Sequence, residues 1–382
     1  MRIAWTSYVL DQGRSGIATY IQSLLRALDC ASEEHEYDIW LAKGSERYLP
    51  KLGPHMHLRY SAPVIEHPIV NILWHNLQLP FEAGRYGYDL VHVPSIRRIP
   101  LVKGCPVVAT IHDLAVFSMP DKYSWPRVFY HKQILRRLVH RCDQVITVSN
   151  YTKEDIIRHT GFPEERIHVI YSGLDTEVYR PLAVADSKEH LQKTYGLSQP
   201  MIVYVSRLEH PAKNHLRLIQ AFEQFKQQHD SPHVLVLAGP DWNGADEVKN
   251  YAAQSPISDQ IVFLGSIPRD DIVRLYSACE FMAFPSLFEG FGFPLLEALA
   301  CGARVICSDS TALSELALGY AETFDPYSVE EIAASMEHAI ERSFTNEEKE
   351  RGIEYARSFQ WDKTAREVLE VYQECGKGVS VL

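Results

Sequence analysis

The stretch from 281 to 302 constrains the fold more than any other. Phe281-Met282-Ala283-Phe284 is a continuous apolar run that reads as a buried strand. The loop Ser286-Leu287-Phe288-Glu289-Gly290-Phe291-Gly292-Phe293 follows, and its two glycines let backbone pack closely against a ligand. Pro294 suits a first helical residue, Leu295 to Cys301 a short buried helix, and Gly302 its stop. Strand, glycine loop and helix N-terminus in that order present free N–H groups and partial positive charge, a ready site for phosphate.

Two carboxylates sit in this unit. Glu289 is in the loop and Glu297 is expected in the first helical turn, with seven residues between them. A carboxylate repels phosphate but accepts two hydroxyl protons at once, which suits a sugar diol. Taken singly, Glu297 also reads as a complement to the helix dipole and Glu289 as a solvated loop residue. The composite of loop, proline start and spaced carboxylates favours a site.

A second constellation precedes it. Met201-Ile202-Val203-Tyr204-Val205 is an apolar strand, Arg207 stands at its carboxyl end, and Lys213 lies just before a helix marked by Leu218, Ile219, Ala221, Phe222 and Phe225. Two cations converging on a helix N-terminus can hold a diphosphate; apart, they are surface charges. Further strands, 234–239 and 261–265, end in Gly239 and Gly265. In the first half, runs at 2–5, 37–41, 90–93, 107–111 and 145–149 alternate with helical stretches, so the sheets are expected to be parallel. Val107 to Ile111 leads into His112 at the strand's carboxyl end, the edge that borders the ligand crevice in open α/β sheets. The turn-rich Asp11 to Gly16 opens a first helix but lacks the Gly-x-Gly-x-x-Gly dinucleotide pattern.

Glu289 to Glu297, followed by Ala300-Cys301-Gly302-Ala303-Arg304-Val305-Ile306, resembles the signature of retaining glycosyltransferases of family four. The resemblance implies an α/β, GT-B fold: two doubly wound Rossmann-like domains with an interdomain cleft. It implies an acceptor-side domain at 1–180, a donor domain at 181–360, and a terminal helix at 361–382 that crosses back to the first. Glu289 is then expected to contact the donor sugar and Glu297 the ribose. Arg207 and Lys213 would hold the diphosphate, and His112 would lie near the sugar and its phosphate. Gly16, Gly265, Gly290, Phe291, Gly292, Phe293 and Leu296 complete the expected donor site.

The implied reaction moves a hexose from a nucleotide-sugar donor to a hydroxyl, with retention and without cofactor or metal. No Asp-x-Asp triplet stands at a strand end to hold a cation. Leu208-Glu209-His210-Pro211-Ala212-Lys213-Asn214 resembles bacterial polysaccharide mannosyltransferases. GDP-mannose is therefore the first expectation for the donor, with a glycan or lipid-linked acceptor. A UDP-sugar donor, a phosphorylase, a UDP-sugar epimerase and a non-catalytic nucleotide-sugar binder are the alternatives.

Charge and composition narrow the partners. The chain of 382 residues carries a net charge of −11, unevenly spread. Residues 1–180 hold 21 Lys and Arg against 19 Asp and Glu, and the remainder holds 17 against 30. The acidic second half argues against nucleic acid. Seven scattered cysteines without a Cys-x-x-Cys suggest reduced thiols in a cytoplasmic protein, and no leader is evident before the first strand. The segment Arg127–Arg141 reads as an amphipathic helix with Val128, Ile134, Leu135, Leu138 and Val139 inward, and Arg127, Lys132, Arg136, Arg137 and Arg141 outward. That basic face is either solvated or a contact with an anionic membrane, which would make the enzyme peripheral on the inner face of the cell membrane. Residues 61–105 show few regular signals. They hold Trp74, His75, Asn76, Arg97 and Arg98, and are expected to shape the acceptor side.

Overall fold

Seven short strands rich in Val, Ile and Leu open the chain: β1 Arg2–Thr6, β2 Glu36–Ala42, β3 Met56–Ser61, β4 Leu90–Val93, β5 Val107–Ile111, β6 Gln144–Thr147 and β7 Ile167–Val169. The wholly buried inner strands β4 and β5 are what a parallel sheet covered on both faces requires, whereas the edge strand β3 mixes polar with apolar residues. In the computed structural model they form one sheet in the order β3-β2-β1-β4-β5-β6-β7, and the pairings are parallel. The structure describes residues 1–10, 15–31 and 34–377. Most of the turn expected at Asp11 to Gly16 lies outside them, while Gly16 is the exposed first residue of the helix Gly16–Ala31.

Six further strands form a second parallel sheet: β8 Met201–Val205, β9 Val234–Ala238, β10 Ile261–Gly265, β11 Phe281–Phe284, β12 Val305–Ser308 and β13 Glu322–Phe324. Their order is β10-β9-β8-β11-β12-β13. β8, β9 and β11 are almost wholly buried, and each fully buried Val, Leu, Ile or Phe contributes about 1.5–3 kcal/mol.

Contacts divide the described chain into two units. The first comprises Met1–Gly173 with the described part of Gln360–Leu382, and the second is Leu174–Phe359. The junction therefore falls several residues before the 180/181 boundary read from sequence. Leu174 N–H donates to Phe359 O at 2.8 Å, which fastens the two ends of the second unit together. Gly173 has no room for a side chain because Trp361 crowds it within the first unit. The helix Trp361–Lys377 clusters with the first unit, where Trp5 Nε1 donates to Tyr372 Oη at 2.8 Å, and that hydroxyl lies 2.5 Å from His92 Nδ1.

The quiet region 61–105 holds an unexpected helical segment. Pro68–Leu73, a π-turn at Trp74–Gln78, and Leu79–Tyr86 run on continuously. Its stripe Ile69, Leu73, Leu77 and Phe81 faces solvent, while the polar Asn71, His75 and Glu82 are buried alongside Leu79 and Ala83, so apolar periodicity pointed to the wrong face. Similarly, Arg127–Arg141 lies in a helical segment that passes through a π-turn at Tyr130–Leu135. The π-turn shifts the register, so Ile134, expected inward, is exposed, whereas Arg127 and Lys132 are half-buried.

Candidate functional site

The second sheet runs outward one way from β8 through β9 to β10, then the other way from β11 to β13. The strand order reverses between β8 and β11, and crevices form outside the carboxyl ends of strands at such a point. Arg207 and Lys213 follow β8, and Glu289 follows β11. The topology thus delivers three of the expected site residues to one place within this unit.

Their side chains meet there. Lys213 Nζ lies 2.5 Å from Glu289 Oε1, and both side chains are largely buried. Arg207 donates to the buried Glu209 at 3.2 Å and stacks over Trp242, 4.9 Å from the ring centroid. The segments are tied by backbone: Leu287 N–H donates to Ala212 O at 2.9 Å, and Tyr204 Oη donates to Lys213 O at 3.0 Å. Asn214, in a left-handed conformation, anchors the helix His215–Gln228 by donating to Pro326 O at 2.7 Å. Both cations at this edge are thus held by carboxylates.

The glycine loop is fixed from the other side. Glu289 N–H donates to Thr311 Oγ1 at 3.1 Å. Gly292 has φ 116°, and a Cβ there would come within 2.7 Å of Leu313 Cδ2, so glycine is required. The helix begins at Phe293, one residue before Pro294. Glu297 is therefore its fifth residue and lies beyond the first turn, so it is no first-turn complement to the dipole. Its carboxylate accepts from Tyr276 Oη at 3.5 Å and also takes a hydrogen bond from Tyr179. Burial pushes its pKa up to about 7, against the lowering effects of Tyr179, Arg269 and Tyr276. Phe291 is buried and packs edge-on to Phe293 at 5.1 Å, and Gly290 is half-buried beside it. The Leu296 side chain is wholly buried and belongs to the core, so only its backbone could serve a ligand.

A cavity of about 310 Å³ opens at the carboxyl ends of β8, β9 and β10. Ser206, His215, Gly239, Asp241, Lys249 and Gly265 are among its lining residues. Gly265, with φ 63°, has open space on its Cβ side, and Gly239 N–H donates to its carbonyl at 2.8 Å. His215 is kept neutral, its pKa lowered to about 3 by burial and then by the Lys213 charge. Sequence reasoning missed Glu209, Trp242, Tyr179 and Thr311. Trp242 carried the one usable signal, because it follows a strand that ends in Gly239.

In the first unit, His112 follows β5. Burial lowers its pKa to about 4, its ring meets Tyr20 edge-on at 4.7 Å, and its buried Nε2 has no protein hydrogen-bond partner among the described residues. The described residues contain one candidate metal cluster, His229, Glu337 and Glu341, with His229 Nε2 3.1 Å from Glu337. It lies at the C-terminal ends of two helices, away from the carboxyl ends of the strands. All seven cysteines are free, and no helix of the described residues is long and apolar enough to cross a membrane.

The glycosyl transferases group 1 model matches residues 187–359, and the Glycosyltransferase Family 4 model matches residues 14–178. The chain belongs to glycosyltransferase family 4. Among curated members, the O-antigen chain mannosyltransferase B of Escherichia coli is 28% identical over 267 residues, covering 70% of each protein. The serotype-specific mannosyltransferase WbdA of Escherichia coli is 30% identical over 276 residues, which cover 69% of this chain but 33% of that larger protein. Among solved structures, the sucrose-phosphate synthase of Thermosynechococcus elongatus superposes with a TM-score of 0.77 at 18% identity, covering 99% of this chain and 100% of that one. The fold of this family 4 glycosyltransferase is GT-B, as its signature implied.

Proposed function

We propose that the chain transfers mannose from GDP-mannose, with retained anomeric configuration, onto a hydroxyl of a glycan or lipid-linked oligosaccharide in cell-surface polysaccharide synthesis. The observation that carries this reading is the convergence of Arg207, Lys213 and Glu289 at the switch point beside the cavity. The mannosyltransferase names of the curated relatives support the choice of sugar.

The hard part of the reaction is departure of the diphosphate, on which negative charge grows. Arg207 and Lys213 are fixed cations that stabilise that charge, and this removes the need for a divalent metal. When the diphosphate takes Lys213, it releases Glu289 from its ion pair. The freed carboxylate can then accept protons from two sugar hydroxyls and hold the donor sugar. Glu297 receives the ribose diol, and the cavity reaching Gly265 receives the base. In the first unit, the unpartnered Nε2 of His112 is available to a ligand. The enzyme meets its acceptor at an anionic membrane on the cytoplasmic side, through Arg136, Arg137 and Arg141 and the exposed pair Trp125 and Phe129, whose rings stack at 5.5 Å.

A thermal-shift screen across GDP, UDP and ADP, followed by turnover of GDP-mannose, tests the reading. GDP at a hundredfold excess over Kd should stabilise the fold by about 2.7 kcal/mol. Stabilisation by UDP alone would move the donor to a UDP-sugar. Absence of any nucleoside diphosphate effect would overturn the reading.

A further inference from the structure

The first sheet also reverses its strand order, between β1 and β4. The turn Ile96–Arg98 follows β4 at that point and packs against the helical segment that starts at Pro68. It carries two adjacent arginines, and neither has an ion pair with a described residue. Arg97 is exposed. Arg98 is half-buried, and its Nε is buried without a protein hydrogen-bond partner among the described residues. Two buried imidazoles feel these charges, His75 that of Arg98 and His131 that of Arg97. His75 donates from Nδ1–H to Asn71 O at 2.8 Å, leaving Nε2 unpartnered, and both ring nitrogens of His131 have no protein hydrogen-bond partner among the described residues.

The four side chains feel one another. Burial lowers the Arg98 pKa to about 10, with the Arg97 charge adding to the effect and Tyr130 opposing it. Burial lowers His131 to about 4, and the charges of Arg97 and Arg127 add to this. His75 falls to about 3 through burial, with the Arg98 charge adding to it. Asp113 is the one carboxylate acting on His131, and its Oδ1 is engaged by Ala115 N–H at 3.0 Å. Burying a guanidinium beside a second cation is costly unless an anion joins them, and buried polar atoms without partners are rare.

We propose that Arg97, Arg98 and His131 form a phosphoryl-binding site in the first unit, which His75 joins by taking a proton on Nε2 when the anion binds. Its planar guanidinium groups suit the paired oxygens of a phosphate or diphosphate. That the phosphoryl group belongs to the acceptor rests on the glycosyltransferase reading; the anion site itself does not. A phospholipid headgroup carries the same chemistry and is the other source.

Pyrophosphate is titrated calorimetrically into the full chain with GDP present at saturation, so that the diphosphate position in the second unit is filled. Wild type should still bind pyrophosphate. Arg97→Gln, an exposed change, should weaken that binding at least tenfold while GDP affinity and the melting temperature stay the same. Arg98→Lys, which keeps the charge but loses the fork, should fall between them. Sedimentation with phosphatidylglycerol vesicles separates the sources. Vesicle binding lost in Arg97→Gln assigns the site to a headgroup, and vesicle binding unchanged while pyrophosphate binding falls assigns it to the acceptor. If GDP binds but pyrophosphate does not, or if Arg97→Gln binds pyrophosphate as wild type does, the site is refuted while the donor reading stands. If GDP does not bind, the donor reading fails, and pyrophosphate titrated alone into wild type and Arg97→Gln still decides the site.

Discussion

Glu297 should make donor binding depend on pH. In the free protein burial holds its pKa at about 7, against an ordinary value of 4.5. A ribose diol donating two hydrogen bonds to the carboxylate favours the ionised form and lowers that value again. Binding therefore releases a proton. Complete restoration would be worth about 3 kcal/mol at about 1.36 kcal/mol per unit, an upper bound. For a single proton leaving a group of pKa about 7, affinity should rise roughly tenfold between pH 6 and pH 8 and then level off. The same shift acts on stability with the opposite slope. The folded pKa is raised, so stability contributed by protonated Glu297 is complete below about 4.5 and is lost as pH rises through about 7. The assay is calorimetric titration with a nucleoside diphosphate sugar, whose phosphates do not titrate in this range, at pH 6, 7 and 8 in two buffers of different ionisation enthalpy. Glu297→Gln should bind more weakly at pH 8 and show neither the pH slope nor the proton release. An unchanged slope in Glu297→Gln, or affinity that falls as pH rises, would refute the ribose assignment.

Three other outcomes are expected. Glu289→Gln should lower transfer at least a hundredfold yet keep or tighten nucleoside diphosphate affinity, because Lys213 loses its competing carboxylate; parallel loss of both in kinetics and calorimetry would contradict this. Transfer should persist in EDTA, since Arg207 and Lys213 supply the positive charge; inhibition by EDTA that magnesium or manganese reverses would overturn it. The protein should sediment with phosphatidylglycerol vesicles at low salt, and Trp125→Ser with Phe129→Ser should weaken this severalfold without changing GDP affinity; protein that stays in the supernatant removes the membrane from the proposal.

The strands that build the switch point were legible because buried parallel strands read as unbroken apolar runs, as at Met201–Val205 and Phe281–Phe284. β3 and β13 were not, because they flank their sheets and mix polar with apolar residues. The helical segment from Pro68 was invisible for a different reason. Its stripe Ile69, Leu73, Leu77 and Phe81 is exposed, and Asn71, His75 and Glu82 share the buried face with Leu79 and Ala83, so the pattern that marks an inward face was obscured. Motif residues were found singly, but their pairing was not. Lys213 and Glu289 are 76 residues apart, and only the parallel sheet places the ends of β8 and β11 side by side. The environment of Glu297 is likewise tertiary, made by Tyr179 and Tyr276 from segments that carry no motif.

The two sheets share one plan, with the order reversing between the first strand and the strand that opens the other half. They differ in how the cations at that edge are held. In the second unit Arg207 has Glu209 and Lys213 has Glu289, so each cation is compensated before a ligand arrives. On the proposed reading, a diphosphate that binds there would replace one anionic partner with another and leave the released carboxylate available to the sugar. In the first unit Arg97 and Arg98 follow β4 without such partners among the described residues, within the half of the chain that carries the net positive charge. An uncompensated pair has no competing carboxylate to displace, so a phosphoryl group should bind it with a steeper salt dependence than a diphosphate in the second unit. Paired cations suit a ligand that must come and go at each turnover, and unpaired ones suit a group that is only gripped.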